Sequence, residues 1–252
     1  MAHPFDSLDR NFALPRIRTV GTARCAEWLA AGWHDLTRTP IASLAYGLLF
    51  SLAGDLLLVS LWRSPQEFAV AVSGFLIVAP LLCIGLYELS RRSERRRDSR
   101  FIDSLDVFSR NREGVGLFAL MLVLIWIVWE RFSAVLFASM SPPGSSFADF
   151  VVQAANSELS LIWLAVGGLL ALAVFMLSVV SVPMLIDRDS DFVTAAVTSL
   201  RAFIANPLPL LVWAGIIAAL TLLGFATLLF GLIVLMPLLG HASWHAYRDL
   251  VE

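Results

Sequence analysis

Apolar runs about twenty residues long recur through this chain, which is the length an α-helix needs to cross roughly 30 Å of hydrocarbon. These runs account for an unusual composition over 252 residues, 58% apolar and 15% charged, with a mean hydropathy of +0.79. A soluble domain is about half apolar and a quarter charged. The pattern predicts an all-α polytopic membrane protein. Spans are expected at residues 41–62, 66–89, 115–137 and 159–186. The final apolar block, residues 207–247, is too long for one crossing. About forty residues in a single helix would extend about 60 Å. Two spans joined by a tight turn near residues 224–227 fit instead, which makes six transmembrane helices in three hairpins.

Charge orients the spans. All eighteen basic residues are arginine, and eight of them fall in residues 89–114, at Arg91, Arg92, Arg95, Arg96, Arg97, Arg100, Arg110 and Arg112. Membrane proteins keep such segments on the cytoplasmic side. Only Arg63 and Arg131 then fall outside the segments assigned to the inner side. Six spans put both termini in the cytoplasm, whereas five would leave Arg248 outside. No cleavable signal is expected, because residues 1–39 lack an apolar core. Residues 1–23 read as a mobile N-terminus and 24–252 as one membrane domain, with hairpins at 41–89, 115–186 and 207–247. Cys25 and Cys83 are not expected to pair, since cytoplasm and bilayer do not favour disulfides.

The spacing predicts one unit three times over: a short interfacial amphipathic helix, a punctuating Arg, Asn or Pro, then a hairpin. The first stripe is Cys25, Trp28, Leu29, Gly32, Trp33 and Leu36, with Glu27, His34 and Asp35 off its face. The second is Phe101, Ile102, Leu105 and Phe108. The third is Phe192, Val193, Ala196, Val197, Leu200, Phe203 and Ile204, after the capping residues Asp189, Ser190 and Asp191. Each returning helix carries a proline near its inner end (Pro80, Pro183, Pro237) and a polar group eight residues on (Glu88, Asp191, His245). A proline frees one backbone carbonyl, which neighbouring helices can satisfy.

The segments GWHDLTRTPIASLAYGLLFSLAG, FLIVAPLLCIGLYELSRR and PLLGHASWHAYRDL resemble DUF2189, a family of bacterial integral membrane proteins. The resemblance implies an inner-membrane protein with six helices and no established activity, and it brings no catalytic residues. Some relatives are labelled haem-copper oxidase subunits. Such a subunit needs several His ligands on different helices, and here only His241 and His245 lie near a span, both on the same one.

Few residues suggest chemistry. Asp55 lies inside the first span, and ionisable groups there cost about 2.5–3.5 kcal/mol on insertion scales and seek a partner. Arg131 and Glu130 sit at similar depth in the third span, so an intramembrane Asp55–Arg131 ion pair shared with Glu130 is expected. Its leading role is helix packing; a proton or substrate relay is the alternative. Glu88, His241 and His245 form a candidate interfacial polar cluster. The two histidines, spaced i, i+4, would hold a metal only if His34, Glu88 or Asp187 supplied a third ligand. Ordinary hydrogen bonding is the leading reading, and no metal or cofactor is expected. Arg91, Arg92, Arg95, Arg96 and Arg97 either set topology or also contact anionic lipid headgroups. Nucleic acid is not an expected partner, because no aromatics interleave the basic run. The function expected is a non-enzymatic accessory, scaffold or assembly component of a larger membrane complex in the bacterial inner membrane. The alternative is a small-molecule or lipid transporter with a cavity between hairpins.

Overall fold

A computed structural model describes residues 14–61, 65–96, 100–109, 111–140, 147–188 and 190–252. Expectations resting on residues 1–13, Arg63, Arg97, Arg110 and Asp189 lie outside the described residues, as does the side chain of Phe108. The described elements are helical. They are α1 (Arg24–Arg38), α2 (Pro40–Leu61), α3 (Pro65–Leu82), α4 (Ile84–Glu94), α5 (Phe101–Ser104, followed by a 3-10 turn Leu105–Ser109) and α6 (Arg112–Met140). Then come α7 (Phe147–Asn156), α8 (Glu158–Ser178), α9 (Ser181–Asp187), α10 (Phe192–Ala205), α11 (Pro207–Ala226) and α12 (Leu232–Leu250).

Five stretches among the described residues are long and apolar enough to cross a membrane: Pro40–Val59, Glu67–Glu94, Arg112–Ser139, Glu158–Asp187 and Pro207–Ala226. The expected sixth, α12, is not one of them. Its second half carries His241, His245, Arg248 and Asp249. The chain does fold back there, with its turn at residues 227–231, slightly beyond the expected 224–227.

Prolines shape the returning helices. Pro80 lies near the end of α3, and the helix is interrupted at Cys83 before α4 continues. Ahead of Pro183 the break falls at Val179–Val180, and a hydroxyl repairs it. Ser199 on α10 accepts from the Val180 N–H at 3.1 Å and donates to the Met176 carbonyl at 2.7 Å. It therefore bridges the two groups an unbroken helix would bond directly. Pro237 stays inside α12 and cannot donate to the Ile233 carbonyl. Gly47 of α2 sits against that oxygen, where a Cβ would lie 1.9 Å away.

α12 is the central packing helix, lying against α1, α2, α4 and α11. It runs antiparallel to α2: Ser43 meets His241, Gly47 meets Ile233 and Gly54 meets Leu229. Each short leading helix rests on a helix other than the ones that follow it directly: α1 on α12, α5 on α4, α10 on α9. The leading helices differ from the expected interfacial stripes. α1 buries Cys25, Trp28, Gly32, Asp35 and Leu36 in protein and leaves Trp33 exposed. Trp28 meets Trp213 edge-on at 5.6 Å. The buried face is turned roughly 40° from the expected stripe, at 100° per residue. α10 buries Thr194, Ala195, Thr198, Ser199 and Ala202, so its large apolar residues Val193 and Ile204 point outward. Of its buried hydroxyls, that of Ser199 serves the broken helix, while Thr198 donates to the Thr194 carbonyl and Thr194 to Asp191. Asp191 caps α10 as expected, accepting from the Thr194 N–H at 2.9 Å.

Residues 16–18 meet the last three residues of the chain. Ile17 and Val251 form an antiparallel bridge, Arg18 N–H donates to the Leu250 carbonyl at 2.9 Å, and Glu252 N–H donates to Arg16 at 3.0 Å. Residues 16–18 were expected to be mobile, yet this backbone pairing holds them.

Candidate functional site

The end of the bundle where residues 16–18 meet residues 250–252 contains four carboxylates with little exposure: Asp35, Glu88, Asp187 and Asp249. Burying an ionised carboxylate is costly unless it is paired and hydrogen-bonded. Each has an answering set of donors.

Asp35 anchors the innermost set. It is reached because Gly32, one turn earlier, lets α1 approach α12 backbone to backbone; a Cβ there would lie 2.6 Å from the Ala242 nitrogen. Asp35 Oδ2 accepts from Ser90 Oγ at 2.6 Å and from His245 Nε2 at 2.8 Å, and Oδ1 accepts from Ser93 at 3.3 Å. His241 joins the same chain, with Nδ1 2.8 Å from Ser90 Oγ and Nε2 2.9 Å from Ser43 Oγ. Burial drives the pKa of His241 down to about 4, against the pull of Asp35, so its ring is neutral at pH 7. The proton order then follows. Ser90 spends its one proton on Asp35, so His241 donates from Nδ1 to Ser90. Nε2 is left to accept from Ser43. Burial opposes the charge on Asp35, but the His245 and Ser90 hydrogen bonds outweigh it and hold the carboxyl below its usual range. Both His241 nitrogens are thus engaged, and no group of three potential ligands that could hold a metal ion occurs among the described residues.

Glu88 does not join the histidines as expected. It faces the other side of α4 from Ser90 and Ser93. Arg91 grips it with Nε at 2.7 Å and Nη2 at 2.8 Å, and Arg92 Nε adds a third bond at 2.9 Å. Arg91 is 3% exposed, so it is withdrawn from lipid contact, and Arg92 also reaches Asp106 at 3.4 Å. Arg95 bonds Asp187 at 3.4 Å, while Arg96 is exposed. Much of the arginine run is therefore internal pairing. The physical reason is that the buried acids of α4 and α9 need cations at close range.

Asp187 also accepts from Tyr247 Oη at 3.1 Å and Arg248 at 3.3 Å. Arg188 donates to Tyr247 Oη at 3.1 Å and to the Glu252 carbonyl at 3.1 Å, fastening the chain end. Asp249 accepts from Arg24 Nε at 2.7 Å and Trp28 Nε1 at 3.0 Å. Burial works against its charge too, and the Arg24 and Trp28 bonds prevail, so its pKa is lowered. A cleft of about 290 Å³ opens beside these groups, lined by Arg24, Glu27, Trp28, His245, Arg248 and Asp249 among others.

The expected intramembrane pair is not assembled. Arg131 pairs with its neighbour Glu130 at 2.9 Å, with its own side chain 79% exposed. No ion pair links Asp55 to Arg131 among the described residues. α3 packs against both α2 and α6, the helices that carry the two groups. Cys25 and Cys83 are free and buried.

Asp35, Ser43 and Ser90 were not singled out from the sequence. A signal existed for Asp35: it lies seven residues after Trp28 and three after Gly32, on the flank of the same helical face.

The break at Cys83, the acid–arginine grip on α4 and the repaired break before Pro183 all lie in one central stretch. Residues 68–187 match the DUF2189 family. Its description is a predicted integral membrane protein. No curated protein and no solved structure matches the chain. The DUF2189 match runs from within α3 to the end of α9 and contains FLIVAPLLCIGLYELSRR. The other two segments that carried the resemblance lie outside the matched residues. The chain is thus similar to DUF2189 in its middle, and its multi-pass membrane character rests on that match and on the five apolar helices.

Proposed function

We propose that this chain is a bacterial inner-membrane protein without enzymatic activity that accompanies, scaffolds or assembles a larger membrane complex. One contrast carries the reading. The polar side chains at the inner end are largely spent on one another, whereas α6 and α11 leave most of their apolar surface outside the chain. Only 17% of the apolar window of Arg112–Ser139 and 22% of that of Pro207–Ala226 is buried. Internal salt bridges fix geometry, and uncovered apolar helices suit lateral contacts in the membrane.

The topology we read has three hairpins entering from one side, with α11 and α12 as the fifth and sixth membrane helices. The Leu232–Gly240 half of α12 lies in the apolar layer without crossing all of it, about 14 Å at 1.5 Å per residue, and residues 241–250 stand in the inner polar layer. The paired chain ends support an even number of crossings, and the arginine distribution supports a cytoplasmic location for both. The cyclic resting of α1, α5 and α10 on the returning helices of other hairpins supports a threefold repeat.

Asp55 favours the transporter reading, because it lies within a membrane stretch. Purification in mild detergent at native expression level separates the two. A stoichiometric membrane partner identified by mass spectrometry is the expected result. Isolation of the chain alone, with solute uptake into vesicles that Asp55→Asn abolishes, would replace the scaffold reading.

A further inference from the structure

The turn between α11 and α12 is built unlike one that meets water. It reads Thr227-Leu228-Leu229-Phe230-Gly231 and carries no charge. Leu228 and Leu229 have φ of 53° and 68°, a left-handed backbone that glycine or asparagine adopts more readily. Turns in water draw on Gly, Asn, Asp and Ser at such positions. Here leucine occupies both.

The N–H groups of this turn are satisfied from within the chain. Thr227, Leu228 and Leu229 donate to the carbonyls of Leu223, Phe225 and Gly224. Phe230 donates to the Thr227 carbonyl, and Gly231 N–H donates to Thr227 Oγ1 at 2.8 Å. Leu232, Ile233, Val234 and Leu235 find acceptors at Leu229, Phe230 and Gly231. No N–H from Thr227 to Leu235 needs water, the condition lipid imposes on backbone. Leu229 turns inward onto Gly54, while Leu228 and Phe230 are 72% and 67% exposed. Past Gly54, α2 continues to Leu61, about 10 Å further at 1.5 Å per residue. The third hairpin therefore ends short of the first.

We propose that this turn ends inside the hydrocarbon, near the middle of the bilayer, with Leu228 and Phe230 in contact with lipid acyl chains. The proposal rests on the reading that the third hairpin is inserted in the membrane. The charge-free tip, the internally satisfied N–H groups and the shortfall against α2 each point to the same burial in lipid.

The test uses the full chain in phosphatidylcholine–phosphatidylglycerol vesicles, spin-labelled singly at Leu228→Cys, Phe230→Cys, Leu222→Cys and Thr22→Cys. Cys25 and Cys83 are buried, and the unsubstituted chain measures their background labelling. Collision rates with oxygen and with a water-soluble nickel chelate report depth. At Leu228 and Phe230 the oxygen-to-nickel ratio should exceed that at the exposed, water-facing Thr22 at least tenfold. Nickel access at Leu228 and Phe230 equal to Thr22, with Leu222 of α11 still protected, overturns the depth proposal alone. Equal nickel access at Leu222 as well overturns the insertion of the hairpin and this proposal with it.

Discussion

Replacing Asp35 by alanine tests the central claim that α1 is locked to α4 and α12 by one carboxylate. Asp35 accepts from Ser90, Ser93 and His245, and Ser90 and Ser93 are 0% and 7% exposed. Removing the acceptor orphans two buried hydroxyl donors, each at about 1–3 kcal/mol. The ring of His245 is 22% exposed and can turn to water, so it adds less. The expected loss is about 2–5 kcal/mol. Unfolding of the micelle-bound chain by denaturant, followed by tryptophan fluorescence, reads it, because Trp28 and Trp244 flank the site. Glu27→Ala, on the exposed face of the same helix, should change stability by less than about 0.5 kcal/mol. A double-mutant cycle with His245→Ala should give a coupling of about 1–3 kcal/mol. If Asp35→Ala is no worse than Glu27→Ala, the carboxylate is not what holds α1, and the hydrogen-bond chain has no energetic meaning.

Acid should weaken the same region. The folded pKa of His241, about 4, lies below its unfolded 6.5, so as pH falls through this window the unfolded chain takes the proton first. Stability should decline between pH 6.5 and 4 by about 3 kcal/mol in all, and His241→Gln should flatten that slope. The lowered pKa of Asp35 acts further down: its contribution is present above the unfolded carboxylate value and is lost as pH falls through the folded one, and Asp35→Asn should remove that limb. Gly47→Ala places a Cβ 1.9 Å from the Ile233 oxygen and should cost about 1–3 kcal/mol, whereas Gly215→Ala, with nothing within 4 Å, should be neutral or stabilising in the same unfolding assay. Ser199→Ala removes the hydroxyl between Val180 and Met176, so hydrogen exchange at the Val180 amide should accelerate while that of α12 stays unchanged.

Much of the architecture was legible because lipid imposes a simple rule on sequence. Long apolar runs gave the helices, and of the three prolines expected to disturb them, Pro80 and Pro183 lie near interruptions while Pro237 sits inside an unbroken helix. The amphipathic leading helices were legible as elements but not in orientation. α1 turned toward Asp35 because a buried acid with three donors outweighs the exposure of Trp33. α10 turned Ser199 inward, where the broken helix beside it has an unbonded N–H and carbonyl. The site was less legible. Spacing along one helix does not tell which side chains on α1, α4 and α12 converge, and Glu88, two residues from Ser90, serves a different partner for that reason.

Hydropathy and arginine content alone determined that this chain lives in a membrane as a helical bundle, since both act through transfer free energies that depend on composition over about twenty residues. Tertiary structure decided which charges cancel. A carboxylate and a guanidinium pair only at contact distance, and the contacts joining Asp35 to His245, Arg24 to Asp249 and Ile17 to Val251 link residues more than two hundred positions apart. No local pattern encodes such separations; they arise when α12 returns between α1, α2 and α4.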